Sequence, residues 1–382
     1  MTTIVISPYR TLKFLEGGGH FWVYVQYVHG LRRAGCDVYW LERVARDGPW
    51  RERSRVEAWL QRLKRFGLEG NVILYTNGER GPGSEYDYLV GSRSEAHEVF
   101  KRADLLLNFY YAIDAELLAC FRRTALVDID PGLLQAWMST GQLAVAPHDF
   151  YFTTGETVEN ASAFSDRHPD WAHIRPPVCL DLWPYMHDSR CEAFTTVTDW
   201  WSGFAMETVN GRQVMYDNNK RVSFLAFAEL PRLTTQPLEL AVYMAAGDTE
   251  DQRTMERHGW RLRPSVEVSR TPEMYRSYIQ GSRGEISCVK PSYIKLQNGW
   301  ISDRSLCYLA SGKPVVVQQT GLSSYLPTGE GIFEFSTAAE AAEALTAVNA
   351  DYEKHCRSAR EIAETYFDAQ QTAKKILEVA LR

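Results

Sequence analysis

Short β-rich runs alternate with longer amphipathic stretches along nearly the whole chain, and few folds accept that order. TTIVIS (Thr2 to Ser7) reads as a buried strand. His20 to Ala34 places Trp22, Val25, Gln26, Val28, His29 and Leu31 at helical spacing, with Gly35 as a stop. DVYWLE (Asp37 to Glu42) is the next strand, Arg51 to Phe66 a charged helix, and Asn71 to Tyr75 a strand. Ser94 to Arg102 follows as a helix, then strands at Asp104 to Asn108, Ala125 to Ile129 and Phe150 to Thr153. Such alternation predicts a parallel sheet with helices on both faces.

Ala172 to Arg190 breaks the pattern with Pro176-Pro177, Pro184, two histidines and a tryptophan, and reads as a linker. The alternation then restarts. Strands are expected at Phe194 to Trp201, Leu238 to Met244, Val266 to Val268, Ile286 to Val289, Val315 to Gln318 and Ile332 to Phe335. Helices are expected at Glu250 to His258, Pro272 to Gln280, Ser302 to Ala310 and Thr337 to Asn349. Asp351 to Leu381 reads as one long helix, bent near Phe367. A chain of 382 residues suits two such domains better than one core.

A net charge of -6 argues against a broad nucleic-acid footprint. The seven cysteines are odd in number and contain no C-x-x-C pair, which argues against a zinc site or a disulfide framework and for a reduced cytoplasmic compartment. No apolar run approaches the roughly 20 residues that span a bilayer. The N-terminus carries no basic and apolar leader pattern, so no signal peptide is expected.

Two stretches have the residue types for anion chemistry. FLEGGGHFW (Phe14 to Trp22) joins a strand to a helix through three glycines, which let backbone approach a ligand at a helix N-terminus. A dinucleotide fingerprint would need a third glycine where Trp22 stands, although Glu42 ends the second strand where a ribose-binding acid would be. The bland alternative is a tight turn with His20 packed locally. ISDRSLCYLASGKPVVVQQTG (Ile301 to Gly321) offers a Ser302 or Asp303 cap, a helix, Gly312 as its end and a buried strand from Pro314. Its helix start suits a diphosphate, with Arg304, Lys290 or Lys295 as counter-charge. A plain helix-turn-strand unit is the alternative. Asp128-Ile129-Asp130 has the D-x-D form of a metal-diphosphate site, but it runs into Pro131-Gly132 and reads better as a turn. His148-Asp149 reads as a self-satisfied turn, and Lys220-Arg221 as either a phosphate clamp or a charged helix start.

At this point the chain resembles a family. GGGHFWVYVQYVHGLRRAGCDVYWLE looks like the opening of a GT-B glycosyltransferase, and SDRSLCYLASGKPVVVQQTG looks like the donor-site segment of that superfamily. The resemblance implies an α/β protein of two Rossmann-like doubly wound domains facing across a cleft, with a C-terminal helix returning to the first. The boundaries expected are 1–178 for an acceptor domain, 179–192 for a linker, 193–360 for a donor domain and 361–382 for the crossover helix. It implies His20 as the base that deprotonates the acceptor hydroxyl, oriented by a carboxylate for which Asp104 and Asp128 are both candidates. It implies Gly18 and Gly19 as points of close approach for donor phosphates or acceptor. Ser302, Asp303, Arg304 and Ser305 match the donor-site helix start, and Gln318, Gln319 and Thr320 the loop after the next strand. Trp200 or Trp201, closing the first strand of the second half, would stack on a base or pack in the core. The family's helix glutamate falls at Cys307, which cannot accept two hydroxyl hydrogen bonds; Asp303, one turn earlier on the same face, is the expected substitute.

The expected activity is transfer of a sugar from a nucleotide-sugar co-substrate to an acceptor hydroxyl, with neither a metal nor a resident cofactor. A nucleotide-sugar epimerase on the same fold and a non-catalytic sugar-nucleotide or partner-binding protein are the alternatives. The acceptor is open among a natural product, a glycan and a modified nucleobase. Phe109-Tyr110-Tyr111 and the loop Gly78 to Gly91 are its candidate walls.

Overall fold

The computed structural model describes residues 1–78, 86–139, 141–157, 170–209 and 212–382. The chain divides into two compact units, Met1–Pro177 with Ala369–Arg382, and Val178–Asp368.

The first unit runs β1 (Thr3–Ser7), α1 (Gly18–Arg33), β2 (Asp37–Arg43), α2 (Arg53–Arg65), β3 (Val72–Asn77), β4 (Tyr86–Val90), α3 (Arg93–Arg102), β5 (Leu105–Asn108), α4 (Ala115–Leu118), β6 (Thr124–Asp128), α5 (Leu133–Ser139), β7 (Phe150–Thr153) and β8 (Trp171–His173). Its eight strands lie in the order β4-β3-β2-β1-β5-β6-β7-β8. Every neighbouring pair is parallel except β3 with β4. Ile4, Val5 and Ile6 of β1 are fully buried, as a central parallel strand covered on both faces requires.

The second unit runs β9 (Phe194–Asp199), β10 (Phe204–Val209), β11 (Arg212–Asp217), α6 (Lys220–Ala226), β12 (Leu238–Tyr243), α7 (Thr249–His258), β13 (Arg261–Pro264), α8 (Ser265–Ser269), α9 (Pro272–Gln280), β14 (Gly284–Ser287), α10 (Pro291–Leu296), α11 (Asp303–Ala310), β15 (Val315–Gln318), β16 (Ile332–Phe335), α12 (Ala338–Ala350) and α13 (Tyr352–Tyr366). Six strands form a wholly parallel sheet in the order β13-β12-β9-β14-β15-β16, and β10 and β11 pair as a separate antiparallel ribbon. Trp200, Phe224, Trp260 and Phe335 belong to the core around that sheet.

Three elements differ from the sequence expectation. Val266 to Val268 is not a strand but part of α8, where the Ser269 hydroxyl donates to the Ser265 carbonyl at 2.8 Å. The strand is the preceding RLRP, whose single apolar residue hides it; it is an edge strand, where a terminal proline is tolerated. The expected linker begins inside β8, a three-residue edge strand too short to show a period. The expected long C-terminal helix is two helices, α13 and α14 (Ala369–Ala380). The chain breaks at the fully buried Phe367, whose carbonyl accepts the Val178 N–H at 2.8 Å.

α14 packs on α1 in the first unit. Gly30 makes that approach possible, because a Cβ there would lie 2.2 Å from the Ala369 carbonyl oxygen. Gln370 Nε2 donates to the Arg33 carbonyl at 2.8 Å beside it. Among the described residues no helix is long and apolar enough to cross a membrane. Gly30→Ala is expected to cost about 1–3 kcal/mol through overpacking against backbone. Denaturant unfolding reads that cost, and hydrogen exchange reads a selective loss of protection in α14; unchanged protection there would show that α14 does not depend on this contact.

Candidate functional site

In doubly wound sheets ligands gather outside the carboxyl ends of the strands, where the strand order reverses. In the first unit that point lies between β1 and β5. Ser7 and Asn108, the last residues of these strands, are register partners, and Asp128 and Thr153 close β6 and β7 in the same way. All four are buried, so the carboxyl edge carries a row of polar groups.

The loop from β1 to α1 is folded tightly over this edge. Gly17 N–H donates to the Phe14 carbonyl at 2.8 Å, and Phe21 N–H to the Gly17 carbonyl at 3.1 Å, so the glycine run turns directly into α1. A Cβ on Gly17 would stand 3.1 Å from the Phe14 carbonyl oxygen. His20, in the first turn of α1, places Nε2 2.6 Å from the Tyr9 carbonyl oxygen. A carbonyl only accepts, so Nε2 carries the hydrogen and Nδ1 of the neutral ring carries the lone pair. The rings of Phe14, Tyr24 and Tyr9 stand 5.1, 5.3 and 6.3 Å from the imidazole.

Glu42 pins this loop. Its carboxyl group accepts from the Thr11 hydroxyl at 2.5 Å, the Leu12 N–H at 2.7 Å and Trp40 Nε1 at 3.0 Å. Trp59 Nε1 donates to the Thr11 oxygen at 2.9 Å, which directs the hydroxyl hydrogen at Glu42. Burial pushes the Glu42 carboxyl up to about 7, only partly offset by those donors. A carboxyl group so engaged is a loop anchor and not a ribose acceptor.

The two carboxylates considered as partners of His20 separate cleanly. Asp104 accepts the Thr3 N–H at 2.9 Å, at the amino end of β1. A five-residue strand spans roughly 13 Å, so Asp104 lies on the edge away from His20. Asp128 lies on the carboxyl edge, as the last residue of β6. It accepts from Asp130 N–H at 3.0 Å, the Thr153 hydroxyl at 3.0 Å and Gln135 Nε2 at 3.2 Å. Burial, with the Asp130 charge adding, raises it to about 7. The Asp130 amide closing on Asp128 makes the D-x-D a turn held by its own first carboxylate. Tyr111 joins the two sides: burial pushes its phenol well up, Asp128 and Asp130 add to this, and Tyr24 of α1 contributes. Phe109 is buried against Tyr24 and Tyr27, so it is core and not an open wall. Of Gly78 to Gly91, residues 79–85 lie outside the described residues, and 86–90 form β4.

In the second unit the strand order reverses between β9 and β14. Lys220 opens α6, Lys290 caps α10, and Ser302 caps α11 through an acceptance from Arg304 N–H at 3.2 Å. Lys220 is half-buried and makes no hydrogen bond or ion pair among the described residues. Burial, with Arg304 and Lys290 adding to it and Asp199 and Asp303 opposing, lowers it to about 8. Two lysines and the start of α11 thus come together on one edge, with Asp199 and Asp303 near Lys220 but not ion-paired with it.

Other expected donor residues are committed elsewhere. Arg304 is buried, with Nε 2.6 Å from Glu285, Nη2 2.6 Å from Ser287 Oγ and Nη1 3.0 Å from the Val197 carbonyl. Ser305 is buried, and the Thr320 hydroxyl donates to the Trp300 carbonyl at 2.8 Å. Gln319 N–H donates to the Phe335 carbonyl, and Gln318 Oε1 accepts the Val289 N–H. Trp200 is core, whereas Trp201 is 48% exposed, with Nε1 on Asp248 at 2.8 Å and Arg221 over its ring. Lys295 sits over the Tyr216 ring. His148 is satisfied by the Ala146 carbonyl and Asn108, and Asp149 by Thr124. Lys220 was readable in the sequence as one of two alternatives; what singles it out is spatial, the absence of a paired carboxylate.

No family model matches this sequence, and no curated protein matches it. Solved structures do. An alpha-glucosyltransferase in complex with UDP-glucose and DNA containing an abasic site aligns over 100% of this chain and 99% of its own, at TM-score 0.63 and 11% identity. The chain has the GT-B fold. HepE of Anabaena in complex with UDP-glucose aligns over 99% of each chain at TM-score 0.57 and 12% identity. Sucrose-phosphate synthase from Thermosynechococcus elongatus aligns over 99% of this chain and 98% of its own, at TM-score 0.56 and 12% identity. At these identities the likeness is one of GT-B architecture.

The buried Asp128 makes a pH prediction. Its folded-state value, about 7, lies above its ordinary 3.8, so the contribution of the protonated carboxyl is present at acid pH and lost as pH rises through about 7. The stability advantage of the wild type over Asp128→Asn is therefore expected to shrink between pH 5 and pH 8. Every tenfold difference in proton affinity between folded and unfolded chain is worth about 1.4 kcal/mol, which denaturant unfolding of both proteins at the two pH values resolves. A difference independent of pH would show that Asp128 is ionised throughout.

Proposed function

We propose that this chain is a glycosyltransferase that moves a sugar from a nucleotide-sugar donor to an acceptor hydroxyl. The observation that carries the donor half is Lys220, a half-buried lysine with no carboxylate partner, beside Lys290 and the start of α11. A diphosphate suits such an edge: it brings negative charge to the two lysines and lies favourably at the positive end of the α11 dipole. GT-B structures with UDP and UDP-glucose bound support the same choice of ligand class.

The acceptor half rests on His20. Its Nδ1 takes the proton of the acceptor hydroxyl, and the oxygen attacks the anomeric carbon. The bond from that carbon to the diphosphate oxygen breaks, and its electron pair leaves on the diphosphate. Lys220, Lys290 and the helix dipole stabilise that charge where it develops, so the displacement needs no metal in this reading. Donor and acceptor are substrates, and no resident cofactor enters. The seven cysteines are all free thiols, which fits a reducing cytoplasm.

Two experiments test this. Thermal shift against nucleoside diphosphates, with and without magnesium, is expected to show binding by one base that Lys220→Gln weakens at least tenfold. Because the folded value of Lys220 lies below the usual 10.5, its charge costs stability at pH 7, and that cost fades as pH rises from about 8 towards 10.5. Lys220→Gln is therefore expected to be more stable than wild type without ligand at pH 7, by on the order of 1–3 kcal/mol. No nucleotide shift in the wild type would sink the donor assignment. His20→Ala is expected to lose 10²–10⁴-fold in turnover, the usual weight of a general base, while keeping the nucleotide shift. Near-full turnover of a folded His20→Ala protein would remove His20 from the mechanism.

A further inference from the structure

The β1–α1 loop carries two cations that the donor-and-base reading does not use. Arg10 lies with its guanidinium carbon 5.1 Å from the Tyr9 ring and 5.9 Å from the Tyr110 ring. Lys13 Nζ lies 5.5 Å from both the Phe14 and Trp50 rings. Neither pairs with a carboxylate among the described residues. The one acid of this loop, Glu16, is taken on both oxygens by Arg55 at 2.9 Å.

The loop holds these cations through its backbone. Glu42 takes the Thr11 hydroxyl and the Leu12 N–H, and Arg55 takes the carbonyls of Leu12 and Lys13 at 3.2 and 2.9 Å. Arg10 itself sits at φ +52, a left-handed conformation that a non-glycine residue keeps only when its surroundings impose it. The flanking rings of Tyr9 and Phe14 are 36% and 40% exposed, 6.3 Å apart, and both touch His20. Uncompensated charge and open rings on this loop thus lie beside His20 in the first turn of α1.

We propose that the acceptor is an anionic hydroxyl compound whose phosphate or carboxylate is held by Arg10 and Lys13, with its ring face against Tyr9 and Phe14. This rests on the reading of the first unit as the acceptor site. Arginine and lysine without acidic neighbours select negative charge, and faces of aromatic rings receive the apolar side of a sugar or other ring. The anion then fixes the molecule so that a hydroxyl reaches His20.

The test uses glucose 6-phosphate, glucuronate and glucose as probes, titrated calorimetrically into full-length Lys220→Gln protein so that the second unit's phosphate affinity is reduced. At least one of the two anions is expected to bind tenfold or more tighter than glucose, with affinity falling as salt rises; which anion binds tells phosphate from carboxylate. Arg10→Gln with Lys13→Gln, confirmed folded by circular dichroism, is expected to abolish the preference. Equal binding of glucose and both anions, binding of neither anion, or a charge preference that survives the double substitution would each overturn the proposal. The nucleoside diphosphate shift, measured on Arg10→Gln/Lys13→Gln with Lys220 intact, separates this from the donor reading: it persists if only the acceptor inference is wrong.

Discussion

One buried carboxyl group, Glu42, sets the shape of the loop over the carboxyl edge of the first unit's sheet. It lies at the carboxyl end of β2 and reaches across to Thr11 and Leu12 in the loop that leaves β1. Burying its charge is costly, and for that reason its pKa is pushed up to about 7. The return is a loop with two residues fixed in its middle, so that Arg10 and Lys13 on either side keep their orientation and Gly17 can turn into α1. His20 inherits its position from the same anchor, because its Nε2 is bound to the backbone of Tyr9 in this loop.

The second unit handles charge in two ways. Arg304 is also buried, but Glu285, Ser287 and the Val197 carbonyl satisfy all three guanidinium nitrogens. That arrangement joins α11 to β9 and β14 and commits the guanidinium to the interior of the unit. Lys220, a short way off in space, has no such partner and feels Arg304 and Lys290 as like charges. An unpaired, partly desolvated charge lowers stability, and it persists most readily where a ligand completes it. The contrast between a paired and an unpaired cation on one edge is therefore what marks Lys220, and not Arg304, as the residue to test with a ligand.

Much of the fold was legible from periodicity. β1, α1, β12, α11, β15 and α12 lie within a residue or two of their expected bounds, because each pairs a long apolar run with a glycine, proline or hydroxyl stop. The failures share a cause. β8 and β13 are short edge strands, and an edge strand needs few apolar residues to pair. SVEV alternates with the period of a strand, yet tertiary packing makes it α8. Site residues were harder. His20 and Lys290 follow the carboxyl ends of central strands, whereas Asp104 and Asp128 look alike in sequence and differ in which end of a strand they close. Arg304 resembled a ligand contact because nothing in the chain announces that Glu285, nineteen residues earlier, faces it across a helix-strand contact.

Cys307 shows how a local departure from the GT-B donor-segment pattern that the sequence resembles is absorbed. Its side chain is buried, and its thiol donates to the Asp303 carbonyl at 3.4 Å within α11. A carboxylate at that position would sit in a helix whose residues from Arg304 to Ala310 are all buried, next to a guanidinium already neutralised by Glu285. Asp303, one turn earlier, keeps its carboxylate half-exposed, and that charge raises the affinity of Lys220 for its proton. Asp303 thus opposes the repulsion from Arg304 and Lys290 and helps to hold Lys220 protonated near neutral pH. The negative charge of this helix acts at its first residue, where it conditions the lysine, instead of at the fifth, where it would have to be buried.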